Sequence, residues 1–167
     1  MLRVEDAPTM PHMTSSFRCF RFLDRPFPAR DRQLSRPRHR QRIRRRVLGD
    51  DHPDTLATRH RLARIIGQRG RYGEAEELCQ QILADRRKLL DEDHPDNLST
   101  RHRLARVLGL QGRYADAEPM FRQVLAARRR TLGDDHPATL NTQHRLGWLV
   151  GRQGRYAESE RAYREAL

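Results

Sequence analysis

A unit of 42 residues written three times over constrains this chain more than any other feature. Residues 48–89 recur as 90–131 and again, cut short, as 132–167; the first two copies agree at 24 of 42 aligned positions. The recurring landmarks are His52-Pro53, His94-Pro95 and His136-Pro137, then Gly70, Gly112 and Gly154, each followed two places on by Tyr72, Tyr114 or Tyr156. Repeats of this length are supersecondary units that bury their apolar faces against their neighbours, so the chain is expected to be a stack. Such a stack tolerates 36% hydrophobic and 34% charged residues, which is lean for a single closed core.

Each unit reads as two helices. His52-Pro53-Asp54-Thr55 supplies a start: a capping side chain, a proline where the first turn has no use for its N–H, and an acid suited to the positive dipole end. Leu56, Leu62, Ala63 and Ile66 follow at helical spacing, and Gly70 ends the run. Ala75, Leu78, Cys79, Ile82 and Leu83 then mark a second helix, closed by the basic Arg86-Arg87-Lys88. The spacing predicts six helices within residues 53–167. The first pair is expected near 54–68 and 71–88, with Tyr72, Tyr114 and Tyr156 largely buried and Ala75 and Ala117 at the closest crossings. Gly67, Gly109 and Gly151, late in each first helix, either loosen its end or admit a close neighbour.

The formal net charge of +12 invites a nucleic-acid reading until it is divided by position. Residues 1–47 carry 13 arginines against 4 acids, whereas residues 48–167 carry 21 basic and 18 acidic side chains. The excess therefore belongs to a leader. Its first 37 residues, with five prolines and no period, read as disordered. Residues 38–47 align with the end of a second helix, Arg44-Arg45-Arg46 matching Arg128-Arg129-Arg130, and read as the remnant of a preceding unit. Cys19 and Cys79 lie too far apart for a metal or redox motif, no apolar run is long enough for a membrane span, and no secretion signal is apparent; free thiols in the cytoplasm are the expectation. There is no phosphate loop, metal-spaced cluster or nucleophile elbow, so no enzyme activity, cofactor or metal is expected.

The order Leu62-Ala63, Gly70, Tyr72, Ala75, Cys79 (Phe121 and Tyr163 in the later copies) and Ile82-Leu83 resembles the tetratricopeptide repeat. The 42-residue period and the Gly-Asp-Asp-His-Pro-Asp-Thr-Leu link resemble the long variant of kinesin light chains, which also occurs in many bacterial proteins. The resemblance covers residues 48–167. It implies an all-α fold, a right-handed superhelix of about three helical hairpins (48–89, 90–131 and 132–167, the last cut short within its second helix). It also implies a scaffold that holds a protein or peptide. In such a stack the polar face of each first helix lines the concave groove. His60, Arg64, Gln68, His102, Arg106, His144, Trp148 and Arg152 are then the expected groove wall. That wall points to an acidic partner, held more tightly below about pH 6.5 as the histidines gain protons. Nucleic-acid binding through residues 36–46 is the second reading, a non-functional fragment of a longer tetratricopeptide signalling protein a third. The uncapped last unit is a further place for association.

Overall fold

The structure, a computed structural model, describes residues 32–166. The reading of the leader as disordered falls mostly on residues 1–31 and, with Cys19, lies outside the described residues. Seven helices follow one another: α1 (Arg32–Leu48), α2 (Pro53–Gln68), α3 (Tyr72–Arg86), α4 (Pro95–Leu110), α5 (Tyr114–Leu132), α6 (Pro137–Arg152) and α7 (Tyr156–Arg164). Each helix packs on the next in sequence, and the first helices of successive units also touch, α2 with α4 and α4 with α6. Among the described residues there is no strand.

The landmarks of the sequence are the physical boundaries of these helices. In all three units the His-Pro pair opens the first helix. The backbone N–H of Asp54 donates to His52 Nδ1 at 3.1 Å, that of Asp96 to His94 Nδ1 at 3.2 Å, and that of Ala138 to His136 Nδ1 at 3.1 Å. Each imidazole thus does for an orphan amide what Ser or Asp usually does. The turns to the second helices use Gly70, Gly112 and Gly154 at φ values of 77°, 84° and 82°, which a side chain resists.

The core runs along the stack rather than round a centre. Ala63, Cys79 and Leu83 of the first unit join Leu104, Ala105, Leu108, Ala117, Phe121 and Leu125 of the second and Leu146, Leu149 and Val150 of the third in one cluster. Ala75 and Ala117 are fully buried. One expectation fails: Tyr72 and Tyr114 are half-buried, but Tyr156 is 71% exposed. The reason is that these tyrosines owe their cover to the following unit. Tyr72 packs in a cluster with Val107 of α4, and Tyr114 accepts a hydrogen bond from Arg152 Nε at 3.3 Å, whereas no described helix follows that of Tyr156.

Helix α1 begins six residues before the boundary expected from the sequence, with Pro37 inside it. It docks on α2 by a device that recurs at every junction. Arg44 Nη1 donates to the carbonyl of Asp54 at 3.0 Å and to Thr58 Oγ1 at 2.8 Å. Arg128 Nη1 does the same to Ala138 O (2.8 Å) and Thr142 Oγ1 (2.7 Å), and Arg86 Nη1 to Asp96 O and Thr100 Oγ1. These arginines stand 42 residues apart in the sequence, so α1 occupies the place of a second helix in a unit before the first.

Candidate functional site: the wall of first helices

The polar faces of α2, α4 and α6 lie side by side, and the residues expected on them divide into two kinds. His60 and His102 are bound into the junctions between units. Thr100 Oγ1 donates its proton to Asp96 O (3.0 Å) and accepts from Arg86, so it can only accept from His60 Nδ1, 3.1 Å away. His60 therefore carries its proton on Nδ1, leaving Nε2 to accept from Arg103 Nε at 3.3 Å. His102 sits 3.4 Å from Thr142 Oγ1 in the equivalent place and meets the Phe121 ring edge-on, centroids 5.3 Å apart. Burial first, and neighbouring arginines second, hold both imidazoles down at about 3. The expected gain of protons near pH 6.5 accordingly does not apply to them, because a cation there would lose water and face other cations. His144 is exposed, lies against Tyr163 with centroids 5.0 Å apart, and is shifted in the same direction by burial and Arg145.

The second kind, Arg64, Gln68 and Arg106, belongs to a cationic strip. Arg64 and Gln68 are exposed; with Arg103, Arg106 and Leu110 they line a shallow crevice floored by Ala63, Gly67 and Val107. Arg106 and Arg145 are half-buried, and burial lowers both from the usual guanidinium value, Arg106 further through Arg145. Arg103 falls to about 10, through burial and then the proximity of Arg106 and Arg64. Among the described residues none of Arg64, Arg103, Arg106 and Arg145 has a carboxylate partner, although arginines elsewhere on the stack are paired with acids. Arg103, Arg145 and Leu110 were missed by the sequence reading. The signal was available: Arg61, Arg103 and Arg145 follow the three histidines at one repeat position.

Trp148 and Arg152 stand at the far end of the wall. Trp148 is half-buried and packs against the long core cluster. A Cβ on Gly109 would lie 3.2 Å from Trp148 Cζ3 and 2.9 Å from Leu149 Cδ1. Gly109 thus serves close approach, whereas at Gly67 a Cβ would meet only ordinary contacts at 3.6 and 3.7 Å. Arg152 is exposed and reaches back to Tyr114.

Cys79 is buried, and burial pushes its thiol up to about 11, far from the thiolate that chemistry requires. Among the described residues no helix is long and apolar enough to cross a membrane, and no group of three His, Cys, Asp or Glu side chains converges as a metal site would need.

Paired helices stacked through a shared core define an α-solenoid. A tetratricopeptide repeat model matches residues 54–130 and again 102–167, and a second one matches 42–54. The chain belongs to the tetratricopeptide repeat family, and its repeats resemble those of kinesin light chains. It is similar to the crystal structure of a putative kinesin light chain of Podosopora anserina with nearly identical TPR-like repeats (30% identity, TM-score 0.64) and to that of a single-substitution form of the same protein (30%, 0.67); each match covers 81% of this chain and 64% of that one. It shares the fold of BtubC (BKLC) from P. vanneervenii at 18% identity and TM-score 0.66, over 81% of this chain and 55% of that one. The matches thus span less than two thirds of the length of these structures. No curated protein matches it significantly. Repeats of this family generally mediate protein–protein interaction.

Proposed function

We propose that this protein is a docking scaffold whose wall of first helices binds an acidic segment of a partner protein. The observation that carries this is the strip Arg64, Arg103, Arg106 and Arg145. It is half-buried over most of its length, mutually repulsive and without a carboxylate partner among the described residues. Unpaired, partly desolvated guanidinium groups cost stability, and an incoming carboxylate removes that cost with bidentate hydrogen bonds. His60 fixes Arg103 through its Nε, leaving both terminal nitrogens to the ligand. Leu110 and Trp148 give the strip an apolar border for neighbouring side chains. The two half-buried histidines, His60 and His102, act as positioning groups that stay neutral, so affinity is expected to be flat between about pH 5.5 and 7.5.

The test is fluorescence anisotropy with a labelled acidic peptide, hexaglutamate in the first instance, against wild type and the Arg64→Glu, Arg106→Glu double variant. Binding by wild type and loss in the variant are expected, and equal binding by both proteins would overturn the reading. Nucleic acid, the other reading of the basic charge, is not favoured: Arg38, Arg44 and Arg45 of the arginine run are engaged by Glu74, Thr58 and Asp50.

A further inference from the structure

Helix α1 sits where a second helix belongs, yet one of its faces differs from that of α3 and α5. In those helices this face is apolar except for Asp85 of α3 and is covered by the first helix of the same unit. Cys79 and Ile82 in α3, and Phe121 and Val124 in α5, are fully buried. At the same positions α1 carries Pro37, half-buried, and Arg40, exposed; Arg36 stands exposed where Leu78 and Met120 pack against the core. Ile43 occupies the place of Ala127, which is 6% exposed, and is itself 48% exposed; Val47, one turn on, is 73% exposed. Arg36 and Arg40 have no carboxylate partner among the described residues, in contrast to Arg38 on the adjoining face, which is held by Glu74 at 2.7 Å. Among the described residues the result is an uncovered helix face with an apolar seam, Pro37, Ile43 and Val47, flanked by two guanidinium groups without a carboxylate partner.

We propose that this face of α1 docks an amphipathic helix of a partner protein that presents a carboxylate to Arg40, lying across α1 as α4 lies across α5. The complement follows from the junctions within the stack. In the second unit Leu98 of α4 packs with Val124 and Ala127 of α5. In the first, Arg59 of α2, which stands where Arg101 does, pairs with Asp85 at 2.6 Å. Carried to α1, the position of Leu98 faces Arg40 and Ile43, and that of Arg101 faces Ile43. A fitting helix needs a carboxylate at the first and an apolar side chain at the second, the reverse of what α4 carries. Charge complementarity selects the partner here, as it selects partners in coiled coils. The surface is separate from the wall of first helices, and neither reading depends on the other.

The test uses the full chain and two labelled 16-residue peptides: the α4 sequence (Pro95–Leu110) carrying Leu98→Glu and Arg101→Leu, and the unchanged α4 sequence. The altered peptide is expected to bind, with the unchanged one weaker by roughly tenfold, and Arg40→Glu and Ile43→Asp in the protein each to weaken binding by a similar factor. Both sites are exposed, so the variants should keep the wild-type thermal melt, which is recorded alongside. Binding should survive the Arg64→Glu, Arg106→Glu double change. The proposal is overturned if neither peptide binds, if both bind equally, or if Arg40→Glu and Ile43→Asp leave binding unchanged. Capture of a labelled single-stranded oligonucleotide that is lost in Arg40→Glu, in place of the peptide, would overturn it as well by assigning the face to nucleic acid.

Discussion

Thr100 has one proton and gives it to Asp96 O, and from that single fact the state of two neighbouring side chains follows: His60 must donate through Nδ1, and Arg103 must donate to its Nε2. A ring so placed resists protonation. The folded-state values of His60 and His102, about 3, lie below the unfolded value of 6.5, so on acidification the unfolded chain takes up protons first. Their contribution to stability is complete above about pH 6.5 and is lost as pH falls from there toward about 3. Melting temperature is therefore expected to decline between about pH 6.5 and 4.5, before most carboxylates titrate, and His60→Gln with His102→Gln should flatten that decline; an unchanged slope would contradict the assignment. Packing gives a second prediction at this scale. Ala117 is fully buried within the core cluster, so Ala117→Leu should cost on the order of 1–3 kcal/mol, read as a lower urea midpoint. Helical periodicity put His60 on the right face of its helix, but its partner Thr100 lies forty residues on. Which groups meet across a junction depends on how one unit rotates against the next, and no local spacing encodes that.

At the scale of the element, the arginine near the end of each second helix staples the next first helix through a backbone carbonyl and a threonine hydroxyl. Hydrogen bonds from a charged group to such acceptors contribute about 1.5–3 kcal/mol each. Arg86→Met is thus expected to destabilise the stack by about 2 kcal/mol in urea unfolding, and by less in the background of Thr100→Val, because partners in one contact couple. Additive losses would argue against the staple. A second clasp works on the other side. Glu118 receives Arg155 and Gln153 from the turn of the following unit, and this holds its carboxyl down at about 2; Glu76 receives Arg113 and Gln111 in the same way. Both devices were visible as recurrences in the sequence, including the match of Arg44 to Arg128. The start of α1 was not. Pro37 takes the place of Cys79 and Phe121 and interrupts the apolar match; inside α1 it forgoes the bond its missing N–H would have made to the turn before and sets its ring against that turn's carbonyl.

Across the whole molecule the units share one core, and the charge is distributed by role. Several arginines elsewhere on the stack are matched by acids of their own and neighbouring units, as Arg122 is by Glu118 and Glu158, whereas among the described residues those of the strip on the first helices have no carboxylate partner. Composition alone concealed this, since residues 48–167 are nearly neutral in sum. Ligand binding to the unmatched strip should weaken as salt rises, because its field decays over a Debye length of about 8 Å at physiological ionic strength. Anisotropy at about 50 and 300 mM NaCl checks this, and affinity that does not fall with salt would point to an apolar rather than a cationic site. The most direct measurement of the central claim is an NMR titration of the labelled full chain with hexaglutamate, following the arginine Nε–Hε resonances. The strip predicts that Arg64, Arg103, Arg106 and Arg145 shift together with one dissociation constant, while Arg122 and Arg155, already paired with Glu118, stay still. Shifts confined to the arginines of α1, with those four unmoved, would contradict it.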